Sequence, residues 1–360
     1  MNRFAFIIHP LDVSDVSRKF SWTKYLPDKV VEQLLRRVPP FSAAEITGVR
    51  SAQGQEVEGW FVTCPLTARQ MLKYPEDYVL EKIIKTCQKA EGLGADIIGL
   101  GAFTSVVGDK GLTVSKAVDT PITTGNSYTV ATALESTLIA VGEMGLDIEE
   151  EKVSVIGATG SIGSACCKML ADKCLEMNLL ARNKDKLYEV AQELMDINPD
   201  LQINVYLEGQ IPLCLHQSRV VLTASGAASQ LIQPEMLQSG SVICDVARPR
   251  DVAKKVGEKR NDVLIIEGGV VRVPGPVNFN LNFGFPPGTS YACMAETMIL
   301  ALEGRFEPYS LGSELELDKV EEISRLAGKH GFELAGLRSF ERALTTEALQ
   351  QIRNRAAEVV

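Results

Sequence analysis

Residues 151–164 read Glu-Lys-Val-Ser-Val-Ile-Gly-Ala-Thr-Gly-Ser-Ile-Gly-Ser, a short apolar strand running straight into Gly157, Gly160 and Gly163. A strand that ends in closely spaced glycines and opens a helix is the α/β arrangement that holds a dinucleotide. The glycines permit a tight turn and close backbone approach, and the free N–H groups at the helix start receive the pyrophosphate. Val153 to Ile156 reads as a buried parallel strand and Ala165 to Leu170 as helix. Thr159, Ser161 and Ile162 complete the loop, whose spacing is G-x-x-G-x-x-G rather than the commoner G-x-G-x-x-G.

The next unit separates the two nicotinamide cofactors. Met177 to Asn183 is a second strand, and its end carries Arg182, 25 residues beyond Gly157, with Asn183, Lys184 and Lys186 after it. A site for NAD places Asp or Glu near this point to accept from the ribose hydroxyl. A guanidinium instead pairs with a 2′-phosphate in a forked geometry. NADPH is therefore the expected cofactor.

The chain has 360 residues, 45% hydrophobic and 23% charged, with a net charge of −9. That length predicts two domains with ample core. An acidic balance argues against nucleic-acid binding, and no apolar run approaches the ~18 residues that span a bilayer. The N-terminal MNRFAFIIHPLD reads as a first strand rather than a signal, so the expected location is cytoplasmic. Eight cysteines lack any C-x-x-C pair, which predicts reduced, mostly buried thiols and no metal site.

The fold class expected is α/β with two lobes: a Rossmann-type doubly wound parallel sheet plus an α/β substrate domain. Residues 1–127 form the first part of the substrate domain, 128–288 the NADP(H) domain, and 289–360 helices returning to the substrate domain. Within 1–127 the pattern predicts a strand over 4–9, helices over 14–20, 28–37, 68–74 and 77–91, a hairpin from 44–50 and 56–63, and a strand over 96–100. A helix over 128–142 leads into the nucleotide domain. Further strands over 203–206, 220–223, 241–246 and 263–267 end in residues suited to the ligand-bearing edge of a parallel sheet: Thr223, Ala224, Ser225, Val246 and Gly269. Helices are expected over 291–302 and 317–330, with a polar C-terminal helix from Ser339 onward.

The reacting centre suggested by chemistry is Cys293, in Pro-Pro-Gly-Thr-Ser-Tyr-Ala-Cys-Met-Ala-Glu over 286–296. Thr289 or Ser290 is a natural N-cap, which puts Cys293 in the first turn of a helix. There the dipole favours thiolate, and free N–H groups can receive an oxyanion. An Ala-Cys-Met-Ala run equally suits a buried core. His9, His216 and His330 have no evident acid/base partner nearby in sequence and read as structural. Phe103, Thr104, Ser105, Thr123, Thr124 and Asn126 lie in loops able to line a substrate cleft or simply to cap and turn.

Several blocks together resemble the cyanobacterial-type long-chain acyl–acyl-carrier-protein reductases: Glu45-Ile46-Thr47, Gly101 to Ser105, Thr123 to Asn126, the glycine loop, Ala181-Arg182-Asn183, Gly268 to Val271, Ala292 to Glu296 and Lys329 to Phe332. The likeness extends over nearly the whole chain, with a looser likeness to the shikimate dehydrogenase nucleotide domain. It implies reduction of a fatty acyl thioester to an aldehyde by NADPH, through an acyl group carried on Cys293. It implies a thioester on acyl carrier protein or coenzyme A as substrate, a downstream enzyme that consumes the aldehyde, and at most transient membrane contact. The chain departs from the family over Val273 to Pro287, a loop with Phe279, Phe283 and Phe285, and in an extension beyond about Leu334. Six basic residues between Arg248 and Arg260 suit a carrier-docking patch or a solvated helix face. A hydroxy- or amino-acid dehydrogenase and an NADP(H)-binding redox sensor are the competing readings.

Overall fold

Short runs rich in β-branched and aliphatic residues build the central strands of one mixed and one parallel sheet, and the stretches between them supply helices. The computed structural model describes residues 1–227, 230–282 and 284–359. It divides into two compact units. Met1–Asn126, Arg272–Ser313 and Arg325–Glu333 form the first; Ser127–Val271, Glu314–Ser324 and Leu334–Val360 form the second. Residues 272–288, expected in the NADP(H) domain, fall in the first unit, whereas 314–324 and 334–360, expected with the substrate domain, fall in the second with the nucleotide fold. For the last stretch the reason is apolar: Leu337, Leu349 and Ala356 are buried in the second unit's core.

The first unit is built on a five-stranded sheet in the order β2-β3-β1-β4-β5. The strands are β1 (Asn2–Ile8), β2 (Phe41–Arg50), β3 (Glu56–Thr63), β4 (Ile97–Leu100) and β5 (Ile122–Thr123). All neighbours pair in parallel except β2 with β3, the expected hairpin, which carries register shifts after Ser42 and Ile46. Alternation splits the side chains: Ala5, Ile7, Val62, Ile98 and Leu100 join one core with the Glu76–Glu91 helix. On β4, a Cβ at Gly99 would lie 2.1 Å from Thr297 Oγ1, so glycine is what lets the Ala292–Glu303 helix reach the sheet.

The second unit carries a six-stranded parallel sheet in the order β11-β10-β9-β6-β7-β8. Its strands are β6 (Lys152–Ile156), β7 (Glu176–Ala181), β8 (Gln202–Leu207), β9 (Val220–Thr223), β10 (Val242–Asp245) and β11 (Leu264–Glu267). Both faces are covered. Leu222, Cys244 and Ile266 join one core, while Val221, Ile243 and Ile265 join the other. The order reverses between β6 and β9, the topological switch point where ligands bind in such sheets. The expected helix from Ser339 is corrected. Arg338–Ser339 and Arg342–Ala343 pair as a minimal hairpin, turned at Phe340 and Glu341 with positive φ, and the helix starts at Thr346.

Candidate functional site

In the nucleotide unit, β6 delivers the chain to Gly157, which adopts φ +84. A Cβ there would lie 2.7 Å from the carbonyl oxygen of Ala224, at the end of β9. Gly160 is the N-cap of the Ser161–Leu170 helix, with no side chain closing its first turn. Gly163 is needed for packing, since its Cβ would sit 2.2 Å from the Gly157 carbonyl oxygen. The glycines thus divide the labour into turn, helix entry and helix–strand contact. Ser161 is buried, while Thr159 and Ile162 are half-buried on the loop.

Arg182, Asn183 and Lys186 are exposed at the carboxyl end of β7. Asn183 caps the Lys184–Ile197 helix, its Oδ1 accepting from the Lys186 N–H at 3.1 Å. At the end of β9 the backbone is locked by Asp251, an acid within the basic 248–260 span. Fully buried, it accepts from the Thr223 hydroxyl, from Ser225 Oγ at 2.5 Å and from the Ser225 N–H at 3.1 Å. The Val246 N–H donates to the Thr223 carbonyl at 2.9 Å, and Gly269 turns with φ +88. Asp245 beside it accepts from the Val252 and Ala247 N–H groups, and burial pushes its carboxyl up to about 6.

Arg248 to Arg260 is not a continuous basic patch. Arg250 is paired with Glu267 and Arg260 with Asp262, leaving Lys254, Lys255 and Lys259 on an exposed helix. The solvated-face reading fits this arrangement.

In the first unit, Cys293 stands in the first turn of the Ala292–Glu303 helix. Of the eight cysteines it alone is half-buried; the other seven are buried. Burial pushes the thiols of Cys174 and Cys214 up to about 11 and those of Cys64 and Cys244 to about 12, which makes them poor nucleophiles at neutral pH. The expected cap is corrected: the helix N-cap is Tyr291 and makes no side-chain cap bond. Thr289 Oγ1 donates instead to the Pro286 carbonyl at 2.7 Å and Ser290 Oγ to the Tyr291 carbonyl at 3.2 Å, because 289–291 is extended strand.

The Thr-Thr-Gly block is wedged directly against this cysteine. A Cβ on Gly125, at φ +76, would lie 2.3 Å from Cys293 Cα. The wedge is held by Glu296, one turn beyond Cys293 and fully buried, which accepts from the hydroxyl of Thr123 and from Ser310 Oγ at 2.7 Å. Thr124 donates to the Ser310 carbonyl, and the Gly125 N–H donates to Thr123 Oγ1 at 3.2 Å. No motif assigns Glu296 a role; the signal in the sequence is a carboxylate three residues beyond Cys293 on a helix whose other polar residues are Thr297 and Glu303. Asn126 is half-buried at the start of the Asn126–Glu143 helix.

The Phe-Thr-Ser turn is a 3-10 turn whose hydroxyls serve its own backbone. Thr104 Oγ1 donates to the Gly101 carbonyl and Ser105 Oγ to the Ala102 carbonyl, both at 2.7 Å. Phe103 is buried, and its N–H donates to His9 Nε2 at 3.1 Å. His9 Nδ1 lies 2.9 Å from the Pro10 carbonyl, so the neutral ring bridges two backbone segments, and burial lowers its pKa to about 4. His330 is likewise enclosed, between Ser51 Oγ and Glu303 Oε2. In the 273–287 loop Phe279 is buried near Phe61, and Phe285 packs edge-on against Tyr291; Phe283 lies outside the described residues. Among the described residues no cluster of three or more His, Cys, Asp or Glu side chains is placed to hold a metal ion. None of the described helices is long and apolar enough to cross a membrane.

Residues 139–267 match the family model for shikimate/quinate 5-dehydrogenase. The chain is 33% identical over 353 residues to the aminotransferase PigE of a Serratia species, covering 94% of this chain and 40% of that protein. It is 28% identical over 335 residues to the long-chain acyl-[acyl-carrier-protein] reductase of Synechococcus elongatus, covering 89% of this chain and 94% of that one. The chain therefore spans well under half the length of PigE, and nearly all of the reductase. Among solved structures, shikimate 5-dehydrogenase from Listeria monocytogenes is 13% identical, with 90% of this chain and 96% of that one covered and a TM-score of 0.37.

Proposed function

We propose that this protein is an NADP(H)-dependent reductase of a long-chain acyl thioester, forming a fatty aldehyde through an acyl group carried on Cys293. The observation that carries the proposal is the contrast among the thiols: seven are buried, and the eighth stands at the mouth of a helix. The similarity to a long-chain acyl-[acyl-carrier-protein] reductase over most of both chains supports the substrate class.

The nucleotide unit fits NADP(H). Gly157 and Gly163 leave no room for a Cβ within the loop itself, Gly160 opens an uncapped helix N-terminus for phosphate, and Arg182 and Lys186 offer cations where an NAD site would carry a carboxylate. When bound, the cofactor supplies a hydride. Cys293 Sγ, as thiolate, attacks the acyl carbonyl carbon; the carbon–sulfur bond to the carrier breaks, and the carrier thiol leaves with a proton. The N–H groups of the first turn, at the positive end of the helix, donate to the oxyanion. After reduction the bond to Cys293 breaks, aldehyde departs and the thiolate is restored. The carrier is acyl carrier protein or coenzyme A, and the aldehyde passes to a consuming enzyme; transamination is one chemistry that consumes an aldehyde, and PigE is named an aminotransferase.

The test is turnover of NADPH with palmitoyl thioesters of coenzyme A and of acyl carrier protein, following aldehyde. Cys293→Ser abolishes aldehyde formation and leaves NADPH binding intact. The family-model match over 139–267 favours a second reading, a dehydrogenase of a small hydroxy acid that uses no acyl-enzyme. Under that reading Cys293→Ser retains most of its turnover, and thioesters are inert.

A further inference from the structure

The first unit carries a small helical lobe that the proposed chemistry does not use. The Val13–Lys19 helix, the Ser21–Tyr25 3-10 helix and the Asp28–Arg37 helix close on a small core of their own, Val16, Val31 and Leu35. Large apolar side chains remain outside it. Trp22 is 56% exposed and Tyr25 89%, and Phe20, Val30 and Leu34 are exposed as well. A 3-10 helix has three residues per turn, so Trp22 and Tyr25, three apart, share one edge of it while Thr23 is buried. Val30 and Leu34, four apart, likewise share one face of the next helix.

Charge is the second observation. The chain as a whole carries −9, yet residues 18–37 hold six basic and two acidic side chains. Lys24 is exposed on the same 3-10 helix as Trp22 and Tyr25, and Lys29, Arg36 and Arg37 are exposed on the helix that carries Val30 and Leu34. Of the acids in this segment, Glu32 is engaged with Arg69 at 2.8 Å, and outside it Asp15 pairs with Arg18 at 3.3 Å. Amphipathic rings with cations around them match the headgroup level of a bilayer, where Trp and Tyr settle and Lys and Arg meet anionic phosphate.

We propose that the 18–37 face docks peripherally on an anionic lipid surface. The complementarity is local: the rest of the molecule is acidic and is repelled by the same surface, which orients the protein with this lobe toward the lipid. An acidic protein would answer the charges, but an insoluble apolar phase answers both the charges and the exposed rings.

The chain has two tryptophans, and Trp60→Phe leaves Trp22 as the sole indole reporter. That variant is mixed with vesicles of phosphatidylcholine containing phosphatidylglycerol, with pure phosphatidylcholine vesicles, and with acyl carrier protein. The expected result is a blue shift of Trp22 emission, quenching by brominated lipid chains and co-flotation with the anionic vesicles, all reversed by salt. Lys24→Glu/Lys29→Glu weakens flotation by at least about tenfold, with NADPH binding unchanged. Trp22→Ser/Tyr25→Ser gives the same loss in the otherwise wild-type chain. No flotation, flotation unaffected by these substitutions, or a Trp22 shift caused by acyl carrier protein and not by vesicles overturns the proposal.

Discussion

Cys293 owes its position to a glycine and a glutamate. Gly125 allows backbone to lie against the Cys293 Cα, and Glu296 ties down the strand end from which Gly125 projects. Glu296→Ala leaves two buried hydroxyls without their acceptor, at a cost of about 1–3 kcal/mol, and frees the wedge. The expected outcome is a slower rate of Cys293 alkylation and acylation with its pH profile unchanged. Glu296→Gln, which keeps an acceptor oxygen, restores most of the rate. A shifted pH profile would instead assign Glu296 a titrating role. In the nucleotide unit the corresponding test is Arg182→Asp, which replaces a cation with the carboxylate of an NAD site. It is expected to weaken NADPH binding by at least about tenfold while sparing NADH, measured by cofactor fluorescence titration. Equal loss for both cofactors would remove Arg182 from phosphate recognition.

At the level of elements, the glycine loop works because β6, the Ser161–Leu170 helix and the end of β9 converge on it. Gly163→Ala forces the helix away from the Gly157 carbonyl, where the added Cβ would lie 2.2 Å from oxygen. It is expected to lower thermal stability and NADPH affinity together, whereas Asp251→Asn acts on the β9 end alone and is expected to reduce affinity more than melting temperature. Differential scanning calorimetry beside the titration separates the two. Most of these elements were legible in the sequence, because continuous Val/Ile/Leu runs and spaced glycines are local signals. Asp251 was not: its partners, Thr223 and Ser225, lie 28 and 26 residues away. The turn at Phe340 and Glu341 was also hidden, since residues with side chains seldom adopt positive φ and a polar stretch reads as helix. Thr289 and Ser290 were misjudged for a third reason, as strand pairing outcompeted capping.

At the scale of the whole molecule, acid acts with opposite signs on two buried groups, one in each unit. His9, in the first unit, has its pKa lowered from 6.5 to about 4 by burial, so the unfolded chain binds its proton first. Its contribution is fully present above about 6.5 and is lost as pH falls toward 4, up to about 3 kcal/mol. Asp245, in the second unit, is raised from 3.8 to about 6, so the folded state binds that proton first. Its contribution is present below about 4 and is lost as pH rises through 6. Wild type minus His9→Gln, and wild type minus Asp245→Asn, are expected to show stability differences of opposite slope between pH 4 and 6 in denaturant melts. Parallel slopes would remove one of the two assignments.

Transfer of the acyl group to Cys293 is open to direct measurement. The protein is incubated with palmitoyl-coenzyme A in the absence of NADPH, its intact mass is recorded, and the digested peptides are mapped. The expected product is a single palmitoyl group on Cys293, discharged as aldehyde when NADPH is added. NADPH-dependent aldehyde formation without that adduct, or with the acyl group on another residue, would contradict acyl transfer to Cys293.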